Sequence, residues 1–190
     1  MKEDLKLHLG CGKRYIPGFI HIEIANFDHI DYRISVDNLS VIESNSCSLI
    51  YASHVFAYFD RSEAIGVIKE WYRVLRPGGL LRMAVPDFRQ QVKLYEITEN
   101  LDRLLGGLYG RMEIEIPGEK KTVYLKTVYD FPSLKRVLEN GGFMNVRHYN
   151  WRETIHRDYD DYSQAYFPHM DKNGFLTSLN VEADKPEETA

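Results

Sequence analysis

The sequence predicts an α/β fold of the Rossmann-like, doubly wound type, with a seven-stranded and mostly parallel sheet. An apolar run ends at Gly10-Cys11-Gly12, as expected of a buried parallel strand that leads into a tight turn. Strand-like apolar runs then alternate with amphipathic helical patterns, which is typical of helices on both faces of a sheet. A final alternating segment, 175–183, follows its neighbour without a helix, which predicts an antiparallel last strand.

The composition indicates a single globular domain over residues 1–190. Hydrophobic residues make up 44% and charged residues 27% of the chain, and the apolar runs fall short of the roughly 20 residues of a membrane span. With no signal segment after Met1–Asp4, we expect a cytoplasmic protein that binds no membrane. A net charge of −4 without a dense basic cluster argues against nucleic-acid binding.

Two cysteines, Cys11 and Cys47, are too few for a disulfide framework or a structural zinc site. A metal site made of His156, Asp158, Asp160, Asp161 and His169 lacks a diagnostic ligand spacing, so we expect no metal. The predicted partner is a small molecule, and the expected oligomeric state is a monomer or a homodimer.

The first part of the chain contains four predicted strands. The first ends at Leu9 and the second spans 19–24; the link between them is too short for a full crossover helix, so the first crossover helix must be very short or absent. Two further runs, 32–36 and 47–52, predict strands three and four on either side of a turn signal.

Helical patterns dominate the next part. Ser62 is the predicted start of an amphipathic helix that Pro77-Gly78-Gly79 ends, and a fifth strand at 80–85 leads into a helix from Phe88 to about Leu105. The remaining predicted elements are a hairpin insertion at 108–127, a helix at 130–140, strand six at 143–151, a lid or substrate loop at 152–172, and a mobile tail at 185–190.

Polar groups follow the carboxyl ends of the first strands, where ligands bind in sheets of this type. The turn Gly10-Cys11-Gly12 lets a ligand approach bare backbone. Glu23 offers two acceptors for the vicinal hydroxyls of a ribose, or is a solvent-facing strand end. Asp37 with Asn38 could bind an adenine edge or simply form a turn, and the backbone after Ala52 could hold a charged amino-acid end.

Four motifs in a fixed order carry a family resemblance: Leu7–Gly12, His21–Ile24, Ser48–Val55 and Trp71–Gly79. Together they resemble the class I S-adenosylmethionine-dependent methyltransferases, in particular small bacterial, methyltransferase type 11-like members that are often associated with surface-polysaccharide synthesis. The resemblance covers residues 5–150. It implies a seven-stranded Rossmann-like fold and S-adenosylmethionine as the cofactor.

The resemblance also implies a cofactor site. The glycines of Gly10-Cys11-Gly12 would flank the methionine part, Glu23 would bind the ribose, Asp37 would lie beside the adenine, and Ser53 and His54 would line the floor beneath the transferred methyl. The predicted cofactor-binding residues are Leu9, Gly10, Cys11, Gly12, Glu23, Ile24, Asp37, Asn38, Leu39, Ala52, Ser53 and His54.

The chain departs from the family pattern at three places. His8 stands where an acidic residue is common, Arg14 where a third glycine is common, and Ala57-Tyr58 where an acidic residue and a histidine are common. A dinucleotide-dependent oxidoreductase is an alternative, but Tyr15 stands where the dinucleotide-binding pattern needs its third glycine.

Methyl transfer to a hydroxyl or an amine requires removal of a proton, and histidine suits that task at neutral pH. His54 is one candidate, with a structural hydrogen bond as the alternative, and His156 and His169 of the late loop are the others. We favour His156, because a base on a lid assembles only when substrate is bound.

We predict acceptor contacts from the two long interruptions of the pattern: Tyr109, Arg111, Arg152, His156 and Tyr166. Further aromatic residues could form a wall around the acceptor or pack in the core: Trp151, Tyr159 and Tyr162. The expected function is S-adenosylmethionine-dependent O- or N-methylation of a small polar acceptor, for example a sugar or a surface-polysaccharide precursor. A catalytically silent nucleoside-binding module is the alternative from another class.

Overall fold

The computed structural model describes residues 4–159, 161–168, 171 and 173–187. These residues form the strands β1 (Leu5–Leu9), β2 (Ile20–Ile22), β3 (Cys47–Ser53), β4 (Leu75–Pro86), β5 (Met112–Ile116), β6 (Glu119–Val123), β7 (Met144–His148), β8 (Tyr166–Phe167), β9 (Phe175–Leu176) and β10 (Ser178–Asp184). The helices are α1 (Glu63–Val74), α2 (Phe88–Thr98), α3 (Leu105–Tyr109) and α4 (Phe131–Asn140). Short 3₁₀ turns lie at Phe56–Tyr58, Leu101–Arg103, Trp151–Glu153 and Tyr162–Gln164.

The central sheet has six strands in the order β2-β1-β3-β4-β10-β7. Strands β2, β1, β3 and β4 run parallel, and β10 is antiparallel to both β4 and β7. The predicted Rossmann-like sheet with an antiparallel last strand is therefore confirmed. The count of seven strands is wrong over the described residues, because segment 32–36 contributes only a bridge between Ile22 and Tyr32. Ile34 and Val36 of that segment pack against the main core, but the segment forms a bridge with β2 rather than a full strand.

One face of the sheet carries the main hydrophobic core. Side chains alternate across a strand, so Leu7 and Leu9 of β1 and Ile50 of β3 share this face and are fully buried. Helices α1 and α4 cover it with apolar side chains that include Trp71 and Leu134. This is the helical layer that the amphipathic patterns predict.

The opposite face is polar in its central strands. His8, His21 and Tyr51 take the alternate positions on β1, β2 and β3, and all three side chains are buried. The segment 14–19 contributes Ile16 and Phe19 to a small cluster with Tyr51. Residues 151–159 and 161–164, here called the late segment, pack on the same side. The first crossover, residues 10–19, contains turns and no helix, as its length predicts.

Several element boundaries differ from the sequence prediction. The side chain of Ser62 makes no cap hydrogen bond at α1; instead Asp60 Oδ1 accepts from the N–H groups of Ser62 and Glu63. The helix predicted to run from Phe88 to about Leu105 ends at Thr98, because Glu99 takes a left-handed conformation with φ 46°. The predicted strand seven is divided into β9 and β10.

The insertion at 108–127 contains the predicted hairpin, with β5 and β6 antiparallel around the turn at Pro117-Gly118. In the tail predicted to be mobile, Lys185 is buried and its Nζ donates to the carbonyls of Tyr72 and Leu75; residues 188–190 lie outside the described part of the chain. None of the helices in the described residues is long and apolar enough to cross a membrane.

Candidate functional site

The two glycines that follow β1 have different roles. Both adopt left-handed backbone angles, with φ +63° at Gly10 and +54° at Gly12. A Cβ added to Gly10 would lie 2.4 Å from Cγ2 of Val55, whereas one added to Gly12 would meet no heavy atom within 4 Å. Gly10 is therefore required by packing against Val55. The open backbone that the sequence predicted for a ligand is found at Gly12.

Glu23, which follows β2, is held against this turn by backbone donors. Its Oε2 accepts from the Gly12 N–H at 3.0 Å, and its Oε1 accepts from the N–H groups of Ile24 at 2.7 Å and Ala25 at 3.1 Å. An ionised carboxylate has about four acceptor positions, so the side chain keeps capacity for a further donor. The structure thus brings Glu23 and Gly12 together and orders the carboxylate before any ligand binds.

The other cofactor-binding candidates vary in what they can offer. Leu9, Ala52 and Leu39 are fully buried in the core, so a ligand could reach only their backbone atoms. The backbone of Leu39 is already engaged, since its N–H donates to Glu70 Oε1 at 2.7 Å and its carbonyl accepts from Arg73 Nη2 at 2.9 Å. Leu39 is therefore a structural residue: its backbone connects the loop that follows the Ile22–Tyr32 bridge to α1.

Asp37 and Asn38 lie on the surface next to α1. Both are exposed, and Asp37 lines a shallow depression of about 470 Å³ together with Glu63 and Arg73 of α1. Cys11 lies between the two glycines of the turn and is buried. Burial raises the pKa of its thiol to about 12, and the nearby Glu23 carboxylate adds to the effect, so Cys11 is an inert thiol at neutral pH.

His54, immediately after β3, has the most constrained geometry at this edge. It is a non-glycine residue with φ +55°, a conformation that costs of order 1–3 kcal/mol and clusters at functional sites. Its N–H donates to the carbonyl of Ala84 at 2.8 Å, and its Nε2 lies 2.9 Å from Ser178 Oγ. Burial lowers the pKa of His54 to about 3, with a smaller contribution from the positive charge of Arg14. The imidazole is therefore neutral at physiological pH.

Tyr162 joins the late segment to the turn after β1. The Arg14 guanidinium lies 4.9 Å from the centroid of the Tyr162 ring, and the His54 ring lies 5.4 Å from it. Tyr58 is also near: its pKa is raised mainly by burial, and further by the proximity of Tyr162 and Glu23. The carboxyl edge over β1, β2 and β3 is thus a polar and aromatic crevice.

Arg14 and Tyr58 were missing from the sequence-predicted contacts. The sequence marked both only as departures from the family pattern, at positions where a glycine and a histidine are common. Those departures are the signal that could have identified them, because both side chains enter the crevice where the pattern has other groups.

The hairpin of β5 and β6 lies over the same edge. The Glu115 carbonyl accepts from the Asn26 N–H at 2.9 Å, and the Ala57 carbonyl accepts from the Lys126 N–H at 2.9 Å. The Tyr58 hydroxyl donates to the Gly110 carbonyl at 3.0 Å. The insertion therefore connects the loops that follow β2 and β3.

The predicted acceptor contacts fall into two groups. Tyr109 and Arg111 are exposed on the hairpin side, and Arg111 Nη2 donates to Glu113 Oε1 at 2.9 Å. Arg152 lies after β7, with its guanidinium 5.7 Å from the Tyr166 ring, and β7 forms the edge of the sheet opposite to β2. The structure brings Arg152 to Tyr166 but places this pair at the far end of the sheet from the glycine turn.

His156, the base that the sequence favours, packs against the polar face of the sheet. It is only 1% exposed, and its ring centroid is 3.8 Å from that of Tyr51. Burial lowers its pKa to about 3, and Arg82 contributes to this shift. Its Nε2 has no hydrogen-bond partner within the described residues. This position does not favour a base on an exposed lid; His169 lies outside the described residues.

No group of three or more His, Cys, Asp or Glu side chains in the described part of the chain is arranged to hold a metal ion. The proposed set around His156 includes Asp161, whose carboxylate instead accepts hydrogen bonds from the Tyr51 hydroxyl and the Ser163 N–H. Asp160, from the same set, is not among the described residues.

Comparison with known proteins agrees with this fold. Residues 21–83 match the family model of the methyltransferase domain. A methyltransferase from Methanosarcina mazei superposes with a TM-score of 0.55 at 17% identity, covering 99% of this chain and 95% of that one. An S-adenosylmethionine-dependent methyltransferase from Archaeoglobus fulgidus gives 0.56 at 13% identity, covering 97% and 87%. The search of curated proteins returned no match.

A third similar structure is the Burkholderia thailandensis 1,6-didemethyltoxoflavin-N1-methyltransferase, with bound 1,6-didemethyltoxoflavin and S-adenosylhomocysteine. Its TM-score is 0.55 at 10% identity, and the alignment covers 96% of this chain and 71% of that one. Residues 21–83 are thus similar to the methyltransferase domain family, and the described chain has the fold of the methyltransferases with which it superposes.

Proposed function

We propose that this chain methylates an oxygen or nitrogen atom of a small polar acceptor, with S-adenosylmethionine bound at the carboxyl ends of β1, β2 and β3. The observation that carries the proposal is the carboxylate of Glu23, which three backbone N–H groups hold beside the open backbone of Gly12. An ordered carboxylate at the end of the second strand suits the vicinal hydroxyls of a ribose.

The residues present fit the cofactor at this edge. The left-handed Gly12 leaves space that a side chain would otherwise occupy, and Glu23 retains acceptor capacity for hydroxyl donors. In this arrangement Ile24 would lie against the adenosine and Asp37 with Asn38 would face the adenine. Ser53 and His54 would lie at the methyl end.

S-adenosylmethionine, held beside Gly12 and Glu23, would supply an electrophilic methyl group on its sulfonium, with S-adenosylhomocysteine as the leaving group. The protein must position the acceptor, exclude water and take the acceptor's proton. We assign the role of the base that takes the acceptor's proton to His54, which is neutral and follows β3. The structure favours His54 over His156, whose ring packs against Tyr51 below the sheet.

Two segments would form the acceptor side. The hairpin of β5 and β6 bridges the loops after β2 and β3, and Tyr162 of the late segment stands between Arg14 and His54. Aromatic rings next to a cationic group suit a polar acceptor with a flat or ring-shaped body. A cyclic acceptor such as a sugar, or a heterocycle like that in the Burkholderia structure, is consistent with this lining.

The cofactor site is tested by calorimetry of S-adenosylhomocysteine binding to Glu23→Ala. We expect the variant to bind the ligand more weakly by about 1–3 kcal/mol, because the ribose hydroxyls lose a charged acceptor. Glu139→Ala is the matched control, since this exposed α4 residue forms a surface ion pair with Lys135 at 3.6 Å; the dissociation constant of this variant for S-adenosylhomocysteine should equal that of the wild type.

The same titrations with NAD separate the methyltransferase from an oxidoreductase. Binding of NAD without binding of S-adenosylhomocysteine would contradict the proposed function. Equal affinity of Glu23→Ala and wild type for S-adenosylhomocysteine would remove Glu23 from the site. Binding without turnover against a panel of sugars and heterocycles would indicate a silent binding module.

A further inference from the structure

A chain of four polar groups crosses the sheet from the end of β3 to the late segment. His54 Nε2 lies 2.9 Å from Ser178 Oγ, which lies 2.9 Å from Asn180 Oδ1. Asn180 Nδ2 lies 2.9 Å from the carbonyl oxygen of Ser163. Ser178 and Asn180 are both buried, although they belong to a strand whose other face packs in the hydrophobic core.

The direction of each hydrogen bond follows from the last member of the chain. The Ser163 carbonyl can only accept, so the amide of Asn180 donates through Nδ2 and turns Oδ1 toward Ser178. Oδ1 can only accept, so the Ser178 hydroxyl donates to it. The lone pairs of Ser178 Oγ then accept from Nε2–H of His54.

The chain therefore selects one tautomer of the neutral imidazole. With the proton on Nε2, the lone pair is on Nδ1, and Nδ1 is the nitrogen that can take a proton. The backbone of His54 limits the alternatives, because its left-handed φ of +55° and its N–H bond to Ala84 fix the direction in which the side chain leaves β3. A ring N–H of His54 also donates toward the backbone carbonyl of Tyr162, an interaction that raises the pKa of the imidazole against the larger effect of burial.

We propose that Ser178 and Asn180 are positioning residues for methyl transfer: they hold His54 as the Nε2–H tautomer and link that state to the docked position of residues 161–163. This inference rests on the proposed role of His54 as the base. The acceptor proton passes to Nδ1 while the acceptor atom keeps its electron pair for the new bond to the methyl carbon. Ser178 and Asn180 themselves touch neither substrate nor cofactor.

The link to the late segment has a consequence for the state of the base. The Asn180 amide is oriented by a carbonyl of the late segment, and Tyr162 of that segment lies 5.4 Å from the His54 ring. If the late segment leaves the sheet, Asn180 loses its acceptor and the amide can turn. The Ser178 hydroxyl is then free to donate to His54 Nε2, and the proton-accepting nitrogen is no longer defined.

The test is the ¹⁵N spectrum of the histidine rings in the full-length chain at neutral pH, which reports the tautomer of each imidazole. His54→Gln identifies the His54 signals by their disappearance. We expect His54 of the wild type to be in the Nε2–H form. In Ser178→Ala and Asn180→Leu we expect a mixture of the two His54 tautomers. In Ser178→Thr, which keeps the hydroxyl, we expect the Nε2–H form alone.

Ser48→Ala is the matched control, because Ser48 Oγ donates to the carbonyl of Leu5 at 3.2 Å, at the other end of β3; it should leave the His54 signals unchanged. If His54 of the wild type is in the Nδ1–H form, the proposal is wrong. This measurement needs no variant, so the proposal can be tested even if a variant fails to fold. An unchanged His54 tautomer in folded Ser178→Ala also overturns it.

Calorimetry of the wild-type chain with S-adenosylhomocysteine keeps the two claims apart. If the ligand fails to bind, the proposed function is contradicted, whereas the tautomer result still decides how Ser178 and Asn180 act on His54. If the ligand binds and His54 has the wrong tautomer, the function stands and the positioning role is excluded.

Discussion

At the scale of single residues, two glycines one residue apart show why a glycine pattern alone does not define a binding site. Gly10 and Gly12 share a left-handed backbone, but a Cβ on Gly10 would collide with Val55 and a Cβ on Gly12 would meet open space. One glycine is required by the fold and the other leaves room for a ligand. The motif contains both requirements, and the sequence shows no difference between them.

Alanine substitutions separate these two roles. Gly12→Ala should lower the free energy of unfolding by about 1–2 kcal/mol, the cost of a left-handed L-residue, and should weaken S-adenosylhomocysteine binding. Gly10→Ala should destabilise the chain further, because overpacking against Val55 adds about 1–3 kcal/mol. Urea denaturation and calorimetry measure the two effects. Equal destabilisation by both variants would show that Val55 moves aside without cost.

At the scale of elements, the carboxyl end of α1 depends on a residue from the far end of the chain. Lys185 Nζ donates to the carbonyls of Tyr72 and Leu75 and to Asn45 Oδ1, at 2.7–2.8 Å. The last carbonyls of a helix lack partners within the helix, and a cation there also interacts favourably with the helix dipole. The residue that follows β10 thus fastens α1 to the sheet.

Lys185→Met should lower the free energy of unfolding by about 1–3 kcal/mol, because it keeps the aliphatic stem but leaves buried acceptors unpaired. Lys135→Met on the exposed face of α4 is the control and should change stability by no more than about 0.5 kcal/mol. Urea denaturation of the three proteins gives both values. If the two variants are equally stable, Lys185 contributes no net stabilisation to this helix end.

At the scale of the whole molecule, the two faces of the sheet are built by different means. Helices α1 and α4 cover the apolar face, whereas histidines and tyrosines on the other face lie beneath the late segment. The ring of Tyr51 stands between His8, at 5.2 Å, and His156, at 3.8 Å. His8 Nδ1 and His156 Nε2 have no hydrogen-bond partner among the described residues, so protonation of either ring would place a poorly compensated charge in a buried site.

The stability of the chain should therefore fall as the pH drops below about 6.5, the ordinary pKa of histidine. Burial lowers the pKa of His156 to about 3 and holds that of His8 well below its ordinary value, and Arg82 and His21 add to these shifts. At pH values between the lowered pKa of the folded chain and the ordinary pKa of histidine, the unfolded chain binds more protons than the folded one. The stabilisation that comes from keeping His8 and His156 neutral is fully present above the ordinary pKa of histidine, and it is lost progressively as the pH falls below that value.

His156→Gln should reduce the slope of unfolding free energy against pH between about pH 6.5 and 5, since one of the protons bound only by the unfolded chain is removed. His148→Gln is the control: His148 is exposed and stacks on Phe131 with ring centroids 4.2 Å apart, so the slope should stay that of the wild type. Urea denaturation at several pH values measures it. An unchanged slope in His156→Gln would show that this imidazole titrates normally in the folded chain.

Much of the fold was accessible to sequence reasoning because its signals are local. Strand and helix periodicity predicted the parallel sheet, the helix after Ser62 and the hairpin at 108–127, and these elements are confirmed. The predicted third strand was wrong because apolar alternation indicates burial rather than strand pairing: Ile34 and Val36 pack against the core, but the segment pairs with β2 only at the bridge between Ile22 and Tyr32. The helix from Phe88 was too long because a single left-handed residue, Glu99, ended it.

By itself the sequence determined the class of fold, the glycine turn and the acidic residue after β2, since each depends on neighbours a few positions away. Only the tertiary structure decided which histidine lies at the carboxyl edge. His54 meets Ser178 across 124 positions of sequence, and His156 is turned against Tyr51 by a segment without periodicity. Contacts between residues so far apart in sequence depend on how strands pair and loops pack, and a local sequence pattern predicts neither.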